Sequence, residues 1–495
     1  MNVGGDGTSA GDGPSAGDRL PALAPALRAA ARRHGTPLYV TDGAGLDAAA
    51  ETVRAAFPDP WLRTYSLKAN DLPALVARIA GHGFGANVVS RGEWALARRA
   101  GLPNHAITLE GIGKTDADLR AAVRAAAAGE PLRWIAVESA DEAAALARIV
   151  RGAGRADLRV DALVRLNPGV EAETHAGLAT GARSSKFGVS PDEVGAVMEA
   201  GGGADGPIRW RGLHLHVGSQ LGAVDAWRDA VRRALALLAL LQGGLADFDT
   251  LCVGGGMPAR RRRAGEHGGS GAGGSGAGGA QERPGTNLGD APPAAVIPGP
   301  ERFAAEIPAL LDALPPDRRP RRLAVEPGRL LVAGSGWLVA RVLHVRERTL
   351  PPAPAPVDRS GAHGLAVLPP GSTTEDRTRR LVVIDAGMTE LVRPALYGAE
   401  HAIVALTSLG RAARPEAAAR SARVDGPVCE STDTLGTHLL PPLRRGDLVA
   451  ISDAGAYTAS MRSTYNGRPR PAEVLVERDG TLALVRRRGS LASLA

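Results

Sequence analysis

The sequence predicts an α/β fold, a (β/α)8 TIM-like barrel that is followed by a C-terminal antiparallel β domain. In the first two thirds of the chain, eight short β-rich runs alternate with alanine-rich segments of helical periodicity. Alternation of this kind favours a parallel sheet, and eight repeats match a closed barrel. An open doubly wound sheet is the alternative, but no Gly-x-Gly-x-x-Gly motif follows the first run. Beyond Leu330 the β-rich runs follow one another across turns, which predicts the second domain.

Length and composition agree with a two-domain globular protein. The chain has 495 residues, of which 44% are hydrophobic, and it contains no apolar run of eighteen residues, so we expect no membrane span. Its first residues are rich in Gly, Ser and Asp and have neither the basic start nor the apolar core of a signal peptide. We expect residues 1–20 to form a disordered tail.

The charge and the cysteines exclude several classes of function. The formal net charge of +7 comes from scattered arginines, and aromatic residues make up only 3% of the chain, which gives no stacking platform for nucleic acid. The two cysteines, Cys252 and Cys429, can form neither a disulfide framework nor a spaced metal site. We therefore expect no nucleic-acid partner, no metal and a cytoplasmic location.

The elements follow in order along the chain. A helical pattern at 20–34 precedes a strand at 37–41, which is expected to join the β domain. The eight barrel strands are expected at 64–69, 85–89, 106–111, 134–139, 162–168, 212–219, 250–256 and 322–328. This places the barrel at 42–332 and the β domain at 21–41 and 333–495. Two low-complexity segments, 264–287 and 351–379, are expected to be a flexible insertion and a flexible loop.

The β domain is expected to contain strands at 381–384, 402–406, 447–451 and 473–477. Asp479 and Gly480 stand between two apolar runs, and this pair is typical of a tight hairpin turn.

Polar residues stand where each barrel strand ends. His214 and His216 share one face of their strand, whereas Leu213, Leu215 and Val217 share the other. The polar strand ends are Lys68, Asn87, Glu110, Glu138 with Ser139, Arg165 with Asn167, His214 with His216, the glycines 254–256, and Glu326 with Arg329. Because barrels carry their chemistry at the carboxyl ends of the strands, we expect these side chains to line one mouth.

Lys68 is the candidate reactive amine at this mouth. It is expected at the end of the first strand, on its polar face, with Asp71 as the N-cap of the helix that follows. Most lysines are solvated surface residues, so this position alone does not decide the role.

The other strand ends supply partners for one cofactor. Gly254, Gly255 and Gly256 allow backbone N–H groups to close on a phosphate, although such a triplet often only makes a tight turn. A lysine, an acid at Glu326 and an imidazole at His216 suit pyridoxal 5′-phosphate, which needs a covalent amine, a partner for its ring nitrogen and a stacking group. We therefore predict a pyridoxal phosphate site.

Several longer motifs carry a resemblance to a known family. They are Tyr65–Asn70, Ser185–Gly188, Gly212–Gln220, Gly254–Gly256, Glu326–Arg329, Arg393–Tyr397, Cys429–Ser431 and Gly455–Tyr457. In this order they resemble the fold-type III pyridoxal phosphate decarboxylases, and within these they are most similar to the diaminopimelate decarboxylase group.

The resemblance implies a role for each matching residue. It implies that Lys68 holds the cofactor, that His216 stacks on its ring and that Glu326 pairs with the ring nitrogen. The phosphate would be held by Ser219, the three glycines and Tyr457, with Gly328 and Arg329 beside the cofactor. The substrate would be bound by Arg329, Arg393, Tyr397, Glu430 and Tyr457, and Cys429 would donate a proton. Because Cys429 and Glu430 act across a dimer interface in this family, the resemblance also implies a homodimer.

The implied reaction is decarboxylation of meso-2,6-diaminopimelate to L-lysine and CO2. Guanidinium groups suit a substrate with a second carboxylate, since they grip it bidentately. The alternatives are another amino-acid substrate, such as ornithine, carboxynorspermidine or a secondary-metabolite precursor, and a cofactor-carrying protein without turnover.

Two departures from the family pattern bear on this choice. Asn87 stands where the family usually has aspartate, so a charge near Lys68 is missing, and Thr432 follows the Cys-Glu-Ser motif where glycine is usual.

Overall fold

The computed structural model describes residues 16–170, 180–182, 184–245, 247–259, 297–349, 378–414 and 418–494. The predicted insertion at 264–287 and most of the predicted loop at 351–379 lie outside these ranges. Residues 378 and 379 are described and belong to a strand, so that loop prediction extends two residues too far. In the described part of the chain no helix is both long and apolar enough to cross a bilayer.

The strands comprise one before the barrel, eight in it and ten after it within the described ranges. They are β1 (Leu38–Asp42), β2 (Leu62–Ser66), β3 (Gly85–Val88), β4 (Ile107–Leu109), β5 (Trp134–Val137), β6 (Val160–Leu166), β7 (Ile208–Leu215), β8 (Thr250–Cys252), β9 (Arg322–Val325), β10 (Gly336–Thr349), β11 (Thr378–Ile384), β12 (Ile403–Ala405), β13 (Thr407–Ser408), β14 (Arg411–Ala412), β15 (Arg420–Asp425), β16 (Thr434–Leu440), β17 (Leu448–Ile451), β18 (Ala472–Val476) and β19 (Leu482–Arg486).

Most helices connect or flank the barrel strands, whereas the first and the last pack against strands of the β domain. They are α1 (Ala16–His34), α2 (Gly43–Ala56), α3 (Pro73–Ala80), α4 (Arg91–Arg99), α5 (Asp116–Ala127), α6 (Ala140–Arg151), α7 (Val194–Ala200), α8 (Asp225–Leu241), α9 (Pro300–Ala304), α10 (Ile307–Asp312), α11 (Arg329–Val332) and α12 (Arg393–Tyr397).

The eight parallel strands β2–β9 close into a barrel, which confirms the predicted fold class and excludes the open sheet. Each strand pairs with the next, and β2 pairs with β9 through Leu62 opposite Ala324. Three consecutive helices begin with a hydroxyl that caps a backbone N–H directly after a strand or its turn. These caps are Ser90, Thr115 and Ser139. The starts of these three helices are therefore determined by residues next to them in the sequence.

The second domain is a nine-stranded sheet with β1 inserted near its centre. β1 pairs antiparallel with β10 and parallel with β18, and β11 also pairs parallel with β15. The sheet is therefore mostly, but not wholly, antiparallel, because β1 precedes the barrel in sequence and three strands separate β11 from β15. The hairpin at Asp479 and Gly480 joins β18 to β19 as predicted.

The barrel interior is apolar below and polar above. Trp134, Leu163, Cys252 and Ala324 form a buried cluster inside the strands. The alternate strand faces, including Leu213 and Leu215, pack into the large core between strands and helices. The polar strand ends therefore meet above an apolar floor, at the mouth of the barrel.

Three further local predictions are wrong. Helix α1 begins at Ala16, so the last five residues of the predicted tail are helical. Strand β2 ends at Ser66, and Lys68 lies in a single 3₁₀ turn rather than on the strand. The N-cap of α3 is Leu72 and not Asp71, because the side chain of Asn70 already accepts the N–H of Leu72 at 3.2 Å.

Candidate active site

A cavity of about 440 Å³ opens at the carboxyl ends of the barrel strands and is closed on one side by the β domain. Most of the predicted site residues line it. They are Lys68, His216, Ser219, Gly256, Glu326, Gly328, Arg329, Arg393, Tyr397 and Tyr457.

The turn that carries Lys68 is anchored on both domains. Its neighbours Leu67 and Ala69 are buried, whereas Lys68 is exposed and lines the cavity. The Asn70 side chain donates to the carbonyl of Gly455 at 3.0 Å, and the N–H of Tyr457 donates to the carbonyl of Ala69 at 2.8 Å. The backbone around Lys68 is thus held in place while its amine stays accessible, which a reactive lysine requires.

The glycine triplet lies where no side chain fits. A Cβ on Gly254 would come 2.2 Å from the carbonyl oxygen of Leu215, and one on Gly256 would come 2.3 Å from that of Gly218. Both glycines have a positive φ, of 68° and 91°. Backbone N–H groups at such a turn can approach an anion closely. Only Gly256 of the three lines the cavity.

Cationic and hydroxyl groups lie beside the glycine cradle, which is the turn formed by residues 254–256. Arg329 donates to the hydroxyl of Ser219 from Nε at 3.3 Å and from Nη2 at 3.2 Å. Its guanidinium carbon lies 4.5 Å from the centre of the Tyr457 ring. Arg329 is itself buried, so its charge is poorly screened and acts strongly on an anion in the cavity.

His216 presents a neutral ring to the cavity. The N–H of Gly255 donates to its Nδ1 at 3.3 Å, which leaves the ring proton on Nε2. Burial, followed by the charges of Lys68 and Arg165, holds the pKa of His216 well below its usual value. A neutral, fixed imidazole is suited to stack on an aromatic ring.

Glu326 is buried and belongs to a charged cluster. One oxygen lies 3.1 Å from Nε2 of His214, and the other accepts the thiol of Cys252 at 3.0 Å. Nε2 of His214 also lies 3.2 Å from Glu110, and Asn87 is buried nearby. Burial alone would lower the pKa of His214, but the two carboxylates raise it to about 9. The two carboxylates therefore favour the imidazolium form of His214 at neutral pH.

Two further cavity residues can bind a carboxylate. Arg393 is 2% exposed at the start of α12, and its guanidinium carbon lies 5.8 Å from the ring centre of Tyr397. The Tyr397 ring restricts the orientation of the Arg393 guanidinium, which can then donate two parallel hydrogen bonds to a planar anion such as a carboxylate.

Cys429 and Glu430 lie apart from the cavity in this chain. Both are exposed on a loop of the β domain, where Glu430 accepts the hydroxyl of Tyr465 at 2.9 Å. The carboxylate of Asp433 fastens the loop by accepting the N–H groups of Met388 and Val428 at 2.6 and 2.8 Å. Thr432 is exposed and does not line the cavity, so this departure leaves the cavity wall unchanged.

Comparison with known proteins decides the family. The model of the pyridoxal-binding domain of pyridoxal-dependent decarboxylases matches residues 44–333. The chain belongs to the pyridoxal-dependent decarboxylases. It is 35% identical to the diaminopimelate decarboxylase of Deinococcus radiodurans, over 91% of this chain and 92% of that protein. It is 30% identical to that of Aquifex aeolicus, over 93% and 91% of the two chains.

A solved structure agrees with the fold of this decarboxylase. The diaminopimelate decarboxylase of Helicobacter pylori, complexed with L-lysine, superposes with a TM-score of 0.74 at 26% identity, covering 94% of this chain and 98% of that one.

The cavity of the decarboxylase fits pyridoxal phosphate. An accessible lysine amine, a glycine cradle that a Cβ would fill, a neutral imidazole and a buried carboxylate match the aldehyde, phosphate, ring face and ring nitrogen of this cofactor. Each group of the cofactor therefore has a partner of suitable chemistry in this chain.

Several residues that line the cavity of the decarboxylase have no role predicted from the sequence. Glu110, Arg165 and His214 stand at polar strand ends, whereas Phe187 and Met461 carry no such pattern. Arg165 is tied to Glu138 at 2.7 Å and lies 4.8 Å from the ring centre of Phe187. The polarity of the strand ends was the signal that could have found the first three.

Proposed function

We propose that this decarboxylase converts meso-2,6-diaminopimelate to L-lysine and CO2. The observation that carries the proposal is that two buried arginines, Arg329 and Arg393, line the same cavity as the amine of Lys68. A substrate with two amino-acid ends needs a cation for its distal carboxylate, whereas ornithine or lysine would place an ammonium there. The relatives of 30–35% identity that bear this name support the same substrate.

The roles proposed for the cofactor residues follow from their chemistry. Lys68 would attach the cofactor through Nζ, and His216 would stack on the ring. Glu326 would accept a hydrogen bond from the protonated ring nitrogen, and Gly254–Gly256 with Ser219 and Tyr457 would bind the phosphate. The bound cofactor supplies an electron sink for the pair left behind by CO2. Gly328 allows the chain to pass close to Ser66, since a Cβ there would lie 3.0 Å from Cβ of Ser66.

The substrate would be held by two arginines and a tyrosine that line the same cavity. Arg329 is adjacent to the phosphate cradle, and Arg393 with Tyr397 lies farther along the chain on the β domain. We assign the distal carboxylate of the substrate to these arginines and its amine to Glu430. The arginines disfavour a substrate whose distal end carries an ammonium without a carboxylate, since like charges repel strongly in a poorly solvated site.

Glu430 and the proton donor Cys429 are proposed to come from a second copy of the chain. Both are exposed here and outside the cavity, so neither can serve the cavity of its own chain without rearrangement. A homodimer that places the loop of one copy at the mouth of the other completes both sites. The cytoplasmic location stays a prediction; the two cysteines are free thiols, as a reducing compartment requires.

The proposed substrate is tested by measuring CO2 release from meso-diaminopimelate beside L-ornithine and L-lysine. We expect turnover of diaminopimelate with a kcat/KM at least about a hundredfold above the other two, because a mismatched charge in a buried site costs several kcal/mol. Faster turnover of ornithine would refute the proposed substrate and retain the cofactor site.

The shared site is tested by mixing two inactive variants, Lys68→Ala and Cys429→Ala. Each homodimer lacks an essential group in both sites, whereas a mixed dimer has one site with neither substitution. After exchange of subunits, random pairing should restore activity to about a quarter of the wild type, since half of the dimers carry one intact site of two. A mixture that remains inactive after proven exchange would place both residues in one chain's site.

A further inference from the structure

A buried charged triad lies beneath the cavity and joins three strand ends that are distant in sequence. Glu110 follows β4, His214 lies on β7 and Glu326 follows β9. These side chains are 5%, 1% and 4% exposed. Nε2 of His214 lies within 3.2 Å of both carboxylates, so one N–H faces two acceptors.

The charge of each member of the triad depends on the charges of the other two. Two buried carboxylates that meet at one point cannot both ionise unless a cation lies between them. A protonated His214 is that cation, and it leaves the triad with one net negative charge from two anions and one cation. Glu326 and Glu110 both line the cavity, so this net charge would act on a cofactor ring bound there.

We propose that Glu110 is a positioning residue for Glu326: it holds the proton on His214, and the protonated His214 offsets the repulsion between the two carboxylates, so that the triad keeps one negative charge for the ring nitrogen. The proposal depends on the pyridoxal phosphate site but not on the identity of the substrate.

The surroundings of His214 contain no other acid that could replace Glu110 among the described residues that face it. Arg165 stands opposite His214 on β6 but is neutralised by Glu138 at 2.7 Å. Lys68 and His216 lie on the cavity side, and the thiol of Cys252 on β8 is neutral because burial raises its pKa well above the usual value. Only Glu110 and Glu326 raise the pKa of His214 to about 9 against the effect of burial.

Glu110 also supplies a negative charge close to Asn87, where the side chain is neutral. β3 and β4 are neighbours, and both residues are buried at the same end of the barrel. An aspartate at position 87 would have added a third carboxylate beside the triad. With asparagine at position 87 the cluster contains only two acids. The carboxylate on this side of the barrel is then that of Glu110, which directly follows the adjacent strand β4.

The test follows the protonation of His214 in the holoenzyme by NMR with histidine labelled at Cε1. The resonance is assigned by its loss in His214→Asn. In the wild type we expect His214 to lose its proton near pH 9. In Glu110→Gln we expect this titration to fall by about 1 to 3 pH units, the effect of removing one close opposite charge. Glu110→Asp keeps the charge and should recover most of the shift.

A second readout separates positioning from a structural role. The absorption spectrum of the bound cofactor should be independent of pH between 6 and 8 in the wild type and should change with pH in Glu110→Gln. Glu473→Gln removes a buried acid paired with Arg486 in the β domain and should leave both readouts unchanged.

The raised pKa of His214 also makes the free energy of unfolding depend on pH. Because the pKa of His214 is raised on folding, its stabilisation is complete below the unfolded value of about 6.5 and is lost as pH rises through about 9. In Glu110→Gln this loss should begin at lower pH. The inference is overturned if His214 in the wild type titrates near 6.5, if Glu110→Gln leaves its titration unchanged, or if Glu473→Gln shifts it equally. These measurements contain no substrate, so they leave the proposed reaction untouched.

Discussion

Replacement of Lys68 by alanine is expected to abolish both the near-visible absorption of the bound cofactor and the decarboxylase activity. Lys68 lies exposed in a turn whose neighbours are fixed by Asn70 and Tyr457, so the substitution removes the amine without removing an anchor. We expect activity to fall by about three orders of magnitude or more, the scale on which loss of a covalent catalyst acts. Absorption spectroscopy and CO2 release measure the two effects on one sample.

Two control variants define what this result means. Lys68→Arg keeps the positive charge but cannot form the covalent linkage, so it should also be colourless. Lys186→Ala removes an exposed lysine that does not line the cavity and lies 5.3 Å from the ring centre of Phe187. It should keep both colour and activity. A coloured, active Lys68→Ala protein would exclude Lys68 as the attachment point, and a colourless wild type that takes up no pyridoxal phosphate would contradict the cofactor site as a whole.

Replacement of Gly256 by alanine is expected to weaken cofactor binding strongly. The residue has a φ of 91°, and its new Cβ would lie 2.3 Å from the carbonyl oxygen of Gly218 and 3.3 Å from Cδ1 of Leu221. The left-handed backbone alone costs about 1–2 kcal/mol in a residue with a side chain, and overpacking adds about 1–3 kcal/mol. The turn must shift to relieve this strain, and its N–H groups then no longer converge on the phosphate.

The measurement is a titration of the cofactor-free protein with pyridoxal phosphate. We expect the dissociation constant to rise by at least about tenfold, since about 1.4 kcal/mol corresponds to that factor. Gly113→Ala is the matched control, because Gly113 also lines the cavity but its added Cβ would meet nothing within 4 Å. Equal dissociation constants for folded Gly256→Ala and wild type would remove the glycine cradle from the phosphate site.

The strand-end pattern predicted much of the site because its origin is local. A period of two decides which side of a strand a residue occupies, and polar residues among buried ones reveal the side that faces the mouth. His216 and Glu326 were found in this way, and both line the cavity. The helix starts at Ser90, Thr115 and Ser139 are equally local, since a capping hydroxyl satisfies N–H groups three residues along the chain.

Competition between neighbouring groups limited the local predictions. Asp71 has the residue type of an N-cap, but it is the side chain of Asn70 that accepts the N–H of Leu72 at the start of the helix. The same side chain donates to the carbonyl of Gly455 and so joins the turn to the β domain. The choice between them depends on the β domain, which arrives several hundred residues later in the chain. No pattern around Asp71 contains that information.

The sequence by itself determined the alternating architecture, the polar mouth of the barrel and the candidate lysine, because each depends on spacing within a few residues. Only the tertiary structure decided that Glu110, His214 and Glu326 meet at one nitrogen, and that Cys429 lies outside the cavity of its own chain. The physical reason is that closure of the barrel and docking of the sheet fix distances between residues that are remote in sequence. Those distances decide which charges share a proton.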